Sequence, residues 1–199
     1  NTRDILEGLR GELPGLRVLK TEINSGHGRA IRMGYESAIK EYVFQVDSDN
    51  QFDPGDFRKL YELRDDYDFI VGLRKTRCDP AHRLILSKTI RLAIFLIFGV
   101  WIKDANCPFR LIKRKVLIEL LEPIDKDALA PNIMVSILAK KKGVRMTEVP
   151  VAHYGRKTGS VSIIKWKLIR FALGGLRQLV VFRKNLMLQG MQHEHKRKK

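Results

Sequence analysis

Tyr42-Val43-Phe44-Gln45-Val46 is a β-rich run that stops at Asp47, and the polar stretch Asp47-Ser48-Asp49-Asn50-Gln51 follows it directly. A helix is predicted from about Pro54, because proline suits the first helical turn. Residues 68–72 repeat the pattern of an apolar strand, here ending at a glycine. Strands that alternate with helices predict an α/β domain of three layers, α/β/α, around a mostly parallel, Rossmann-like sheet. Ligands of such sheets bind beyond the carboxyl ends of the strands.

The pattern continues on both sides of this centre. Upstream, the spacing of apolar residues predicts helices over 2–13 and 27–41, with a short strand over 17–22 and a glycine turn between them. Downstream, it predicts helices over 81–101, 111–121 and 131–142, a strand over 144–149, and a long amphipathic helix over 163–184. We therefore expect residues 1–162 to form the α/β domain and residues 163–199 to form a basic amphipathic helix with a Lys-rich end.

Length and charge exclude several classes of protein. A chain of 199 residues with 44% hydrophobic residues can bury one core, which excludes wholesale disorder. The net charge of +16 is uneven, since residues 1–128 hold 22 basic and 20 acidic side chains and residues 129–199 hold 16 and 2. No nucleic-acid recognition motif accompanies this excess, so we expect no nucleic-acid partner. The basic C-terminal third favours an anionic membrane surface instead.

Two further features bear on the cellular compartment. Two cysteines, Cys78 and Cys107, cannot form a disulfide scaffold and are interpreted as reduced thiols in a protein facing the cytosol. The longest apolar run, 92–102, falls short of the ~20 residues that span a bilayer. Together with the basic segment 163–184 it predicts a peripheral position on the cytosolic face of a membrane. The alternative is that both helices simply cover the sheet.

The polar stretch after the first strand indicates a metal site. Asp47 and Asp49 stand one residue apart where a buried strand emerges, so they could hold a divalent cation that bridges phosphate oxygens. Gln51 could add a neutral oxygen ligand. The alternative is an ordinary turn, because Asp, Ser and Asn all favour turns.

Six short motifs follow one another along the chain. They are Asn24-Ser25-Gly26-His27-Gly28-Arg29-Ala30, Val46-Asp47-Ser48-Asp49-Asn50-Gln51-Phe52, Val71-Gly72-Leu73-Arg74, the pair Arg83 and Ser87, the segment from Asp104 to Arg110, and Glu148-Val149-Pro150 followed by Arg156-Lys157-Thr158-Gly159. In this order they resemble the family 2 glycosyltransferases of the GT-A fold. Within that family they are most similar to the polyprenyl-phosphate glycosyltransferases, typified by dolichol-phosphate mannose synthase.

The resemblance implies an inverting enzyme that moves a hexose from a nucleotide-diphosphate sugar to a polyprenyl phosphate, such as dolichyl or undecaprenyl phosphate. It implies Mg²⁺ or Mn²⁺ on Asp47, Asp49 and Gln51. The catalytic residues it implies are Asp47, Asp49, Arg110 and Arg156. The residues it implies for substrate and phosphate binding are Asn24, Gly26, Gly28, Arg74, Arg83, Ser87 and Ser160.

The chain also departs from the family pattern. Family members begin with two strand motifs that hold the nucleotide, and this sequence begins just after the second of them. We therefore expect a GT-A-like domain that lacks the first βα unit, as in an N-terminally truncated enzyme. Smaller departures are Leu73 in place of the usual Ser and Pro108 in place of the usual Gly.

Three functional hypotheses stay open at this point. A lipid phosphate has a second pKa near ~6, arrives largely ionised and needs cations rather than a base. A hydroxyl acceptor on a glycolipid or polysaccharide would need a carboxylate, for which Asp104, Asp125 and Asp127 are candidates. Residues 131–142 contain no carboxylate, which favours the phosphate. The third hypothesis is a truncated, inactive domain that binds membranes.

Overall fold

The computed structural model describes residues 2–20, 26–74, 81–155 and 165–197. In these ranges the helices are α1 (Thr2–Leu9), α2 (His27–Ser37), α3 (Phe57–Tyr61), α4 (Ala81–Phe98), α5 (Arg114–Leu121), α6 (Pro131–Lys141) and α7 (Lys165–Arg197). The strands are β1 (Tyr42–Gln45), β2 (Phe69–Arg74), β3 (Arg110–Lys113) and β4 (Met146–Val151). A short 3₁₀ turn, Pro54–Asp56, precedes α3, and Asp53 caps it by accepting a hydrogen bond from the Gly55 amide.

The strands form one mixed sheet in the order β1-β3-β2-β4. Strand β2 runs parallel to β4, whereas β3 runs antiparallel to both of its neighbours, β1 and β2. Three of the four strands therefore point the same way, but only one of the three strand pairs is parallel, so the sheet is mixed and not mostly parallel as predicted. The carboxyl ends of these three strands and the amino end of β3 lie along one side of the sheet, which we call the site edge.

Strand β3 corrects the sequence prediction, which placed a helix over 111–121. The helix α5 begins only at Arg114, and Arg110–Lys113 forms a strand. Because β3 lies between two other strands, Leu111 and Ile112 are almost fully buried. A strand buried on both faces shows no alternation of polar and apolar residues, so its sequence is hard to distinguish from the start of a buried helix.

A second correction concerns the strand predicted over 17–22. Residues 17–20 have no regular structure and pair with none of the four strands, and residues 21–22 lie outside the described ranges. Strand β1 is an edge strand in the described sheet and bonds only to β3. A short β-rich segment gains stability only when a neighbouring strand satisfies its backbone groups, and none of the four described strands pairs with residues 17–20.

The core lies between the sheet and the helices, and aromatic contacts order it near the site edge. Phe44 of β1 contacts Phe57 and Phe109 edge to face, with ring centroids 4.8 and 4.9 Å apart. Helix α7 packs on α4, where the rings of Phe98 and Phe182 lie 6.0 Å apart. Among the described residues, no helix combines the length and apolar character needed to cross a membrane.

Candidate active site at the strand ends

The stretch after β1 forms a tight turn that presents both carboxylates. Asn50 adopts a left-handed conformation with φ of 58°, and the Gln51 amide donates to the Asp49 carboxylate at 3.3 Å. The side chains of Asp47 and Asp49 are half-buried at the site edge. The structure shows the turn, one of the two alternatives in the sequence, and the metal site remains a prediction for its two carboxylates.

Asp47 is held in an unfavourable environment for its charge. Burial raises the pKa of Asp47 above its usual range, and the neighbouring Asp49 raises it further. His27, Arg74 and Arg110 oppose this rise through their positive charges. The Asp47 carboxylate thus lies within electrostatic range of the start of α2, the end of β2 and the start of β3. A bound cation would relieve both the burial and the repulsion between the two carboxylates.

The donor set of this turn fits a divalent cation that is shared with a ligand. Among the described residues, no group of three or more His, Cys, Asp or Glu side chains gathers around a point. Mg²⁺ is commonly bound through one or two carboxylates, with phosphate oxygens and water completing its shell. Asp47 and Asp49 supply that minimal pair, so the site needs a phosphate-bearing ligand to become complete.

Gln51 has a second role that the sequence does not indicate. Its side-chain amide nitrogen donates to the Tyr154 carbonyl at 3.1 Å, and the Tyr154 amide donates to the Gln51 carbonyl at 2.8 Å. Phe52 forms an isolated antiparallel bridge with His153 beside this pair. The residues after β4 are therefore tied to the carboxylate turn. Only the side-chain oxygen of Gln51 could serve a cation.

The glycine motif begins α2, and its Gly28 lies against the backbone of residues 128–129. Gly26 has φ of 85° at the N-cap of α2, a conformation that favours glycine. Gly28 is buried, and a Cβ atom there would lie 2.0 Å from the Ala128 carbonyl oxygen. Gly28 is thus required for the close approach of residues 128–129. Because His27 acts on Asp47, the N-terminus of α2 still borders the carboxylate turn.

Arg110 begins β3 at the site edge, but its side chain turns into the core. Its side chain is fully buried, and its guanidinium donates to the carbonyls of Ala105, Cys107 and Asn132 and to the Ser136 hydroxyl. These contacts occupy the five N–H donors of the side chain. The resemblance implies a catalytic role for Arg110, and in the structure its guanidinium holds the 105–107 turn against α6.

Arg74 and Asp104 form a bidentate ion pair at the end of β2. The Arg74 Nε and Nη2 atoms donate to the two Asp104 oxygens at 2.6 and 2.8 Å, and both side chains are largely buried. Glu148 of β4 accepts hydrogen bonds from the backbone amides of Lys103 and Asp104. Asp104, a candidate base in the sequence, is therefore engaged as the partner of Arg74.

Two cavities meet at this ion pair. One of 250 Å³ lies between α4, α6 and α7 and has walls formed by Ile90, Ile94, Ile102, Ile133, Met134, Leu176 and Leu179. The other, of 420 Å³, is bordered by Leu73, Leu84 and Lys88. Both share Arg74, Ser87, Arg91, Lys103 and Asp104. We call this shared part the cationic recess and the first cavity the apolar cavity.

The sequence motifs had named Arg74 and Ser87 of this recess but not its other two cations, Arg91 and Lys103. The signal in the sequence was that these two residues bound an apolar run, and Lys88 borders the second cavity beside them. The other expected site residues divide into two groups. Arg83 belongs to α4, but its side chain is outside the described set. Asn24, Arg156 and Ser160 lie outside the described residues.

Cys107 agrees with the expectation of a reduced thiol. It is fully buried, and burial raises the pKa of its thiol to about 11. The group therefore stays protonated and unreactive at neutral pH. Cys78 lies outside the described residues.

Comparisons with known proteins identify a family model and relatives that match this chain. A family model described as "Glycosyl transferase family 2" matches residues 1–121. The undecaprenyl-phosphate 4-deoxy-4-formamido-L-arabinose transferase of Pseudomonas fluorescens (strain Pf0-1) is 31% identical over 147 residues, covering 73% of this chain and 42% of the relative. Its counterpart from Pseudomonas syringae pv. syringae (strain B728a) is 30% identical over 172 residues, covering 85% and 49%. The chain thus spans about half the length of these relatives.

A solved structure supports the same fold. Glucosyl-3-phosphoglycerate synthase from Mycobacterium tuberculosis, in complex with Mn²⁺, uridine-diphosphate-glucose and glycerol 3-phosphate, superposes with a TM-score of 0.56 at 14% identity. The match covers 92% of this chain and 64% of the synthase chain. At this identity the likeness concerns the fold alone, and it confirms the GT-A-like α/β prediction.

Proposed function

The chain belongs to glycosyl transferase family 2, and we propose that it moves a hexose from a nucleotide-diphosphate sugar to a polyprenyl phosphate with inversion at the anomeric carbon. The observation that carries the choice of acceptor is the cationic recess, which opens into the apolar cavity. The named relatives are transferases to undecaprenyl phosphate, which supports the same acceptor class.

The recess and the cavity suit the two halves of a lipid phosphate. Asp104 offsets the charge of Arg74, so Arg91 and Lys103 give the recess its excess of positive charge, and the Ser87 hydroxyl adds a hydrogen-bond donor. The apolar cavity beyond them is lined by aliphatic side chains of α4, α6 and α7. A phosphate would bind among the cations while the first part of the prenyl chain occupies the cavity.

The donor is assigned to the carboxylate turn. Mg²⁺ or Mn²⁺ held by Asp47 and Asp49, with the Gln51 oxygen as a further ligand, would neutralise the charge that develops on the leaving diphosphate. The N-terminus of α2, which borders Asp47, offers backbone amides to the same phosphates. Arg74 of the recess lies within electrostatic range of Asp47, so donor and acceptor would bind near each other.

The acceptor requires no base in this scheme. An ionised phosphate oxygen attacks the anomeric carbon as the bond to the diphosphate oxygen breaks, and the bonding electron pair leaves on the nucleotide diphosphate. A hydroxyl acceptor would need a carboxylate in place of that charge. Asp104 is the carboxylate of the recess, and both its oxygens accept from Arg74. This pairing favours the phosphate over the hydroxyl.

We assign the α4–α7 layer to the cytosolic face of an anionic membrane. Its exposed side chains include Leu92, Phe95, Leu96 and Trp101 near α4 and Leu173, Val180 and Val181 on α7. The Arg91 guanidinium lies over the Trp101 ring at 5.2 Å, and such aromatic and basic pairs suit the headgroup region. Flotation with vesicles that contain phosphatidylglycerol tests this position. Loss of flotation in Trp101→Ser supports it, and unchanged flotation contradicts it.

Variants of the recess test the proposed function. In the full-length protein, Arg91→Gln and Ser87→Ala should each raise the KM for undecaprenyl phosphate by roughly tenfold, with the KM for the nucleotide sugar nearly unchanged. Arg58→Gln removes a charge from an exposed position of α3 and serves as the control. An unchanged KM for the lipid in both recess variants would refute the acceptor assignment. No Mn²⁺-dependent binding of any nucleotide sugar would favour the inactive domain.

A further inference from the structure

Residues 127–130 are held by elements from both ends of the chain. They precede α6 and lie between the N-terminus of α2 and the middle of α7. Neither the motifs nor the proposed function assigns them a role. Their contacts connect the two halves of the site.

Gln178 of α7 holds this segment from one side. Its side-chain oxygen accepts from the Leu129 amide at 2.8 Å, and its side-chain nitrogen donates to the Asp127 carbonyl at 3.2 Å. The side-chain amide of Gln178 therefore binds two backbone groups, the Leu129 amide and the Asp127 carbonyl. A Cβ atom on Gly174, one helical turn earlier, would lie 3.3 Å from the Leu129 side chain, so the helix lies close to the segment.

Residues 26–29 at the N-terminus of α2, which we call the donor loop, contact the same segment from the other side. The place of a Cβ on Gly28 lies 2.0 Å from the Ala128 carbonyl oxygen and 3.0 Å from the Leu129 carbonyl oxygen. Arg29 adds an ion pair with Asp127, although both side chains are about half exposed. Gly28 has no side chain, so the backbone of α2 contacts the backbone of residues 128–129 directly at this position. A shift of residues 128–129 should therefore move the first turn of α2.

The apolar cavity touches the same segment and the same glutamine. Ala130, Gln178 and Leu179 all contribute to its wall. We propose that Gln178 is a positioning residue that links the acceptor cavity to the donor loop, so that a lipid phosphate seated between α4 and α7 fixes residues 127–130 and thereby the first turn of α2. This inference rests on the proposed function, because it takes the acceptor to lie in this cavity.

This link predicts that the lipid phosphate and the nucleotide sugar bind cooperatively. If the bound lipid orders the donor loop, the nucleotide sugar must in turn tighten the binding of the lipid by the same factor. A coupling of roughly fivefold lies at the lower end of what such links produce. Gln178→Leu removes both hydrogen bonds of the side-chain amide at similar side-chain volume, and Gln178→Glu keeps the acceptor for the Leu129 amide.

Hydrogen exchange of the full-length protein with and without undecaprenyl phosphate tests the link. In the wild type, the lipid should slow exchange in residues 86–94 of the cavity wall and also in residues 30–32 of α2. In Gln178→Leu the protection of 86–94 should persist and that of 30–32 should be lost, with Gln178→Glu in between. Gln189→Leu, at an exposed position on the same helix, should behave like the wild type.

Kinetics give a second readout that a merely structural role would not produce. Saturating lipid should lower the donor KM about fivefold in the wild type and not in Gln178→Leu. Equal protection of residues 30–32 in the two proteins, or protection of 86–94 alone in the wild type, overturns the link and leaves the acceptor assignment intact. Protection at neither place overturns the acceptor assignment and the link with it.

Discussion

Two aspartates lie at opposite ends of β1 and β2, strands that point the same way on either side of β3, and burial and charge shift their pKa values in opposite directions. Asp68 precedes β2, and its carboxylate accepts from Arg145 at 2.9 and 3.0 Å and pairs with Lys113 at 2.9 Å. These contacts, chiefly the hydrogen bond from Arg145, lower the pKa of Asp68, whereas burial raises the pKa of Asp47. The first carboxylate stabilises the fold and the second is disfavoured by it. An aspartate whose ionised form is disfavoured by burial is typical of a binding site, so this difference indicates that the ligand site lies at the site edge.

The largest effect is expected from Asp47→Asn. Transfer should fall by at least about a hundredfold, because a ligand of the cation and its charge are lost. Stability should not fall with it. A raised pKa means that the folded state disfavours the ionised carboxylate, so at neutral pH the charge of Asp47 lowers the free energy of unfolding, and Asn removes that cost.

Transfer assays and urea unfolding at pH 7 measure both quantities on the same preparation. Asp68→Asn is the matched control, since it is also an aspartate beside a strand end. A large loss of stability in Asp47→Asn, or transfer close to that of the wild type, would contradict the contrast between the two carboxylates.

Arg110→Met tests whether a cation at the site edge serves the fold or the ligand. Arg110 lies at the site edge but acts within the fold, and its loss leaves several buried carbonyls without donors. We expect the free energy of unfolding to fall by about 3 to 5 kcal/mol. Chemical denaturation measures this loss. A stable variant with selectively lost transfer would instead assign Arg110 to the phosphates.

Asp68→Asn should cost about 1 kcal/mol at pH 7, because Arg145, the partner that contributes most, is about half exposed to solvent. The lowered pKa of Asp68 means that its contribution is present above the ordinary pKa of an aspartate and is lost as the pH falls through its folded-state value. Unfolding measured from pH 7 down to pH 3 should therefore show the wild type and the variant converging. A difference that stays constant with pH would show that the charge of Asp68 is not responsible.

The smallest effect concerns the cation alone. Mn²⁺ should raise the thermal unfolding temperature of the wild type by a few degrees, since a ligand that binds only the folded state stabilises it. Asp47→Asn should show no such rise, and Asp68→Asn should retain it. Equal shifts in all three proteins would place the cation elsewhere.

Sequence reasoning succeeded where the information was local. The run from Tyr42 to Gln51 predicted both a strand and a carboxylate turn, because a buried strand and the polar residues after it are read from neighbouring positions. It failed at β3, which owes its form to the strands on either side. It failed also at residues 17–20, where a strand would need a partner that the sheet does not provide.

The site residues show the same difference between local and long-range information. The motif that contains Arg110 gave no sign that its guanidinium turns inward, since burial depends on Asn132 and Ser136 from a distant helix. The apolar cavity joins α4, α6 and α7, and Gln178 meets Leu129 across 49 positions of sequence. Such residues become visible only when the fold brings their segments together.

The central claim is that the cationic recess receives a lipid phosphate. Its most direct test compares undecaprenyl phosphate with undecaprenol as acceptors of the full-length protein, using a panel of uridine- and guanosine-diphosphate hexoses and mass spectrometry of the lipid product. We expect a glycosylated product from the phosphate alone. A glycosylated undecaprenol, or equal yields from the two lipids, would contradict it.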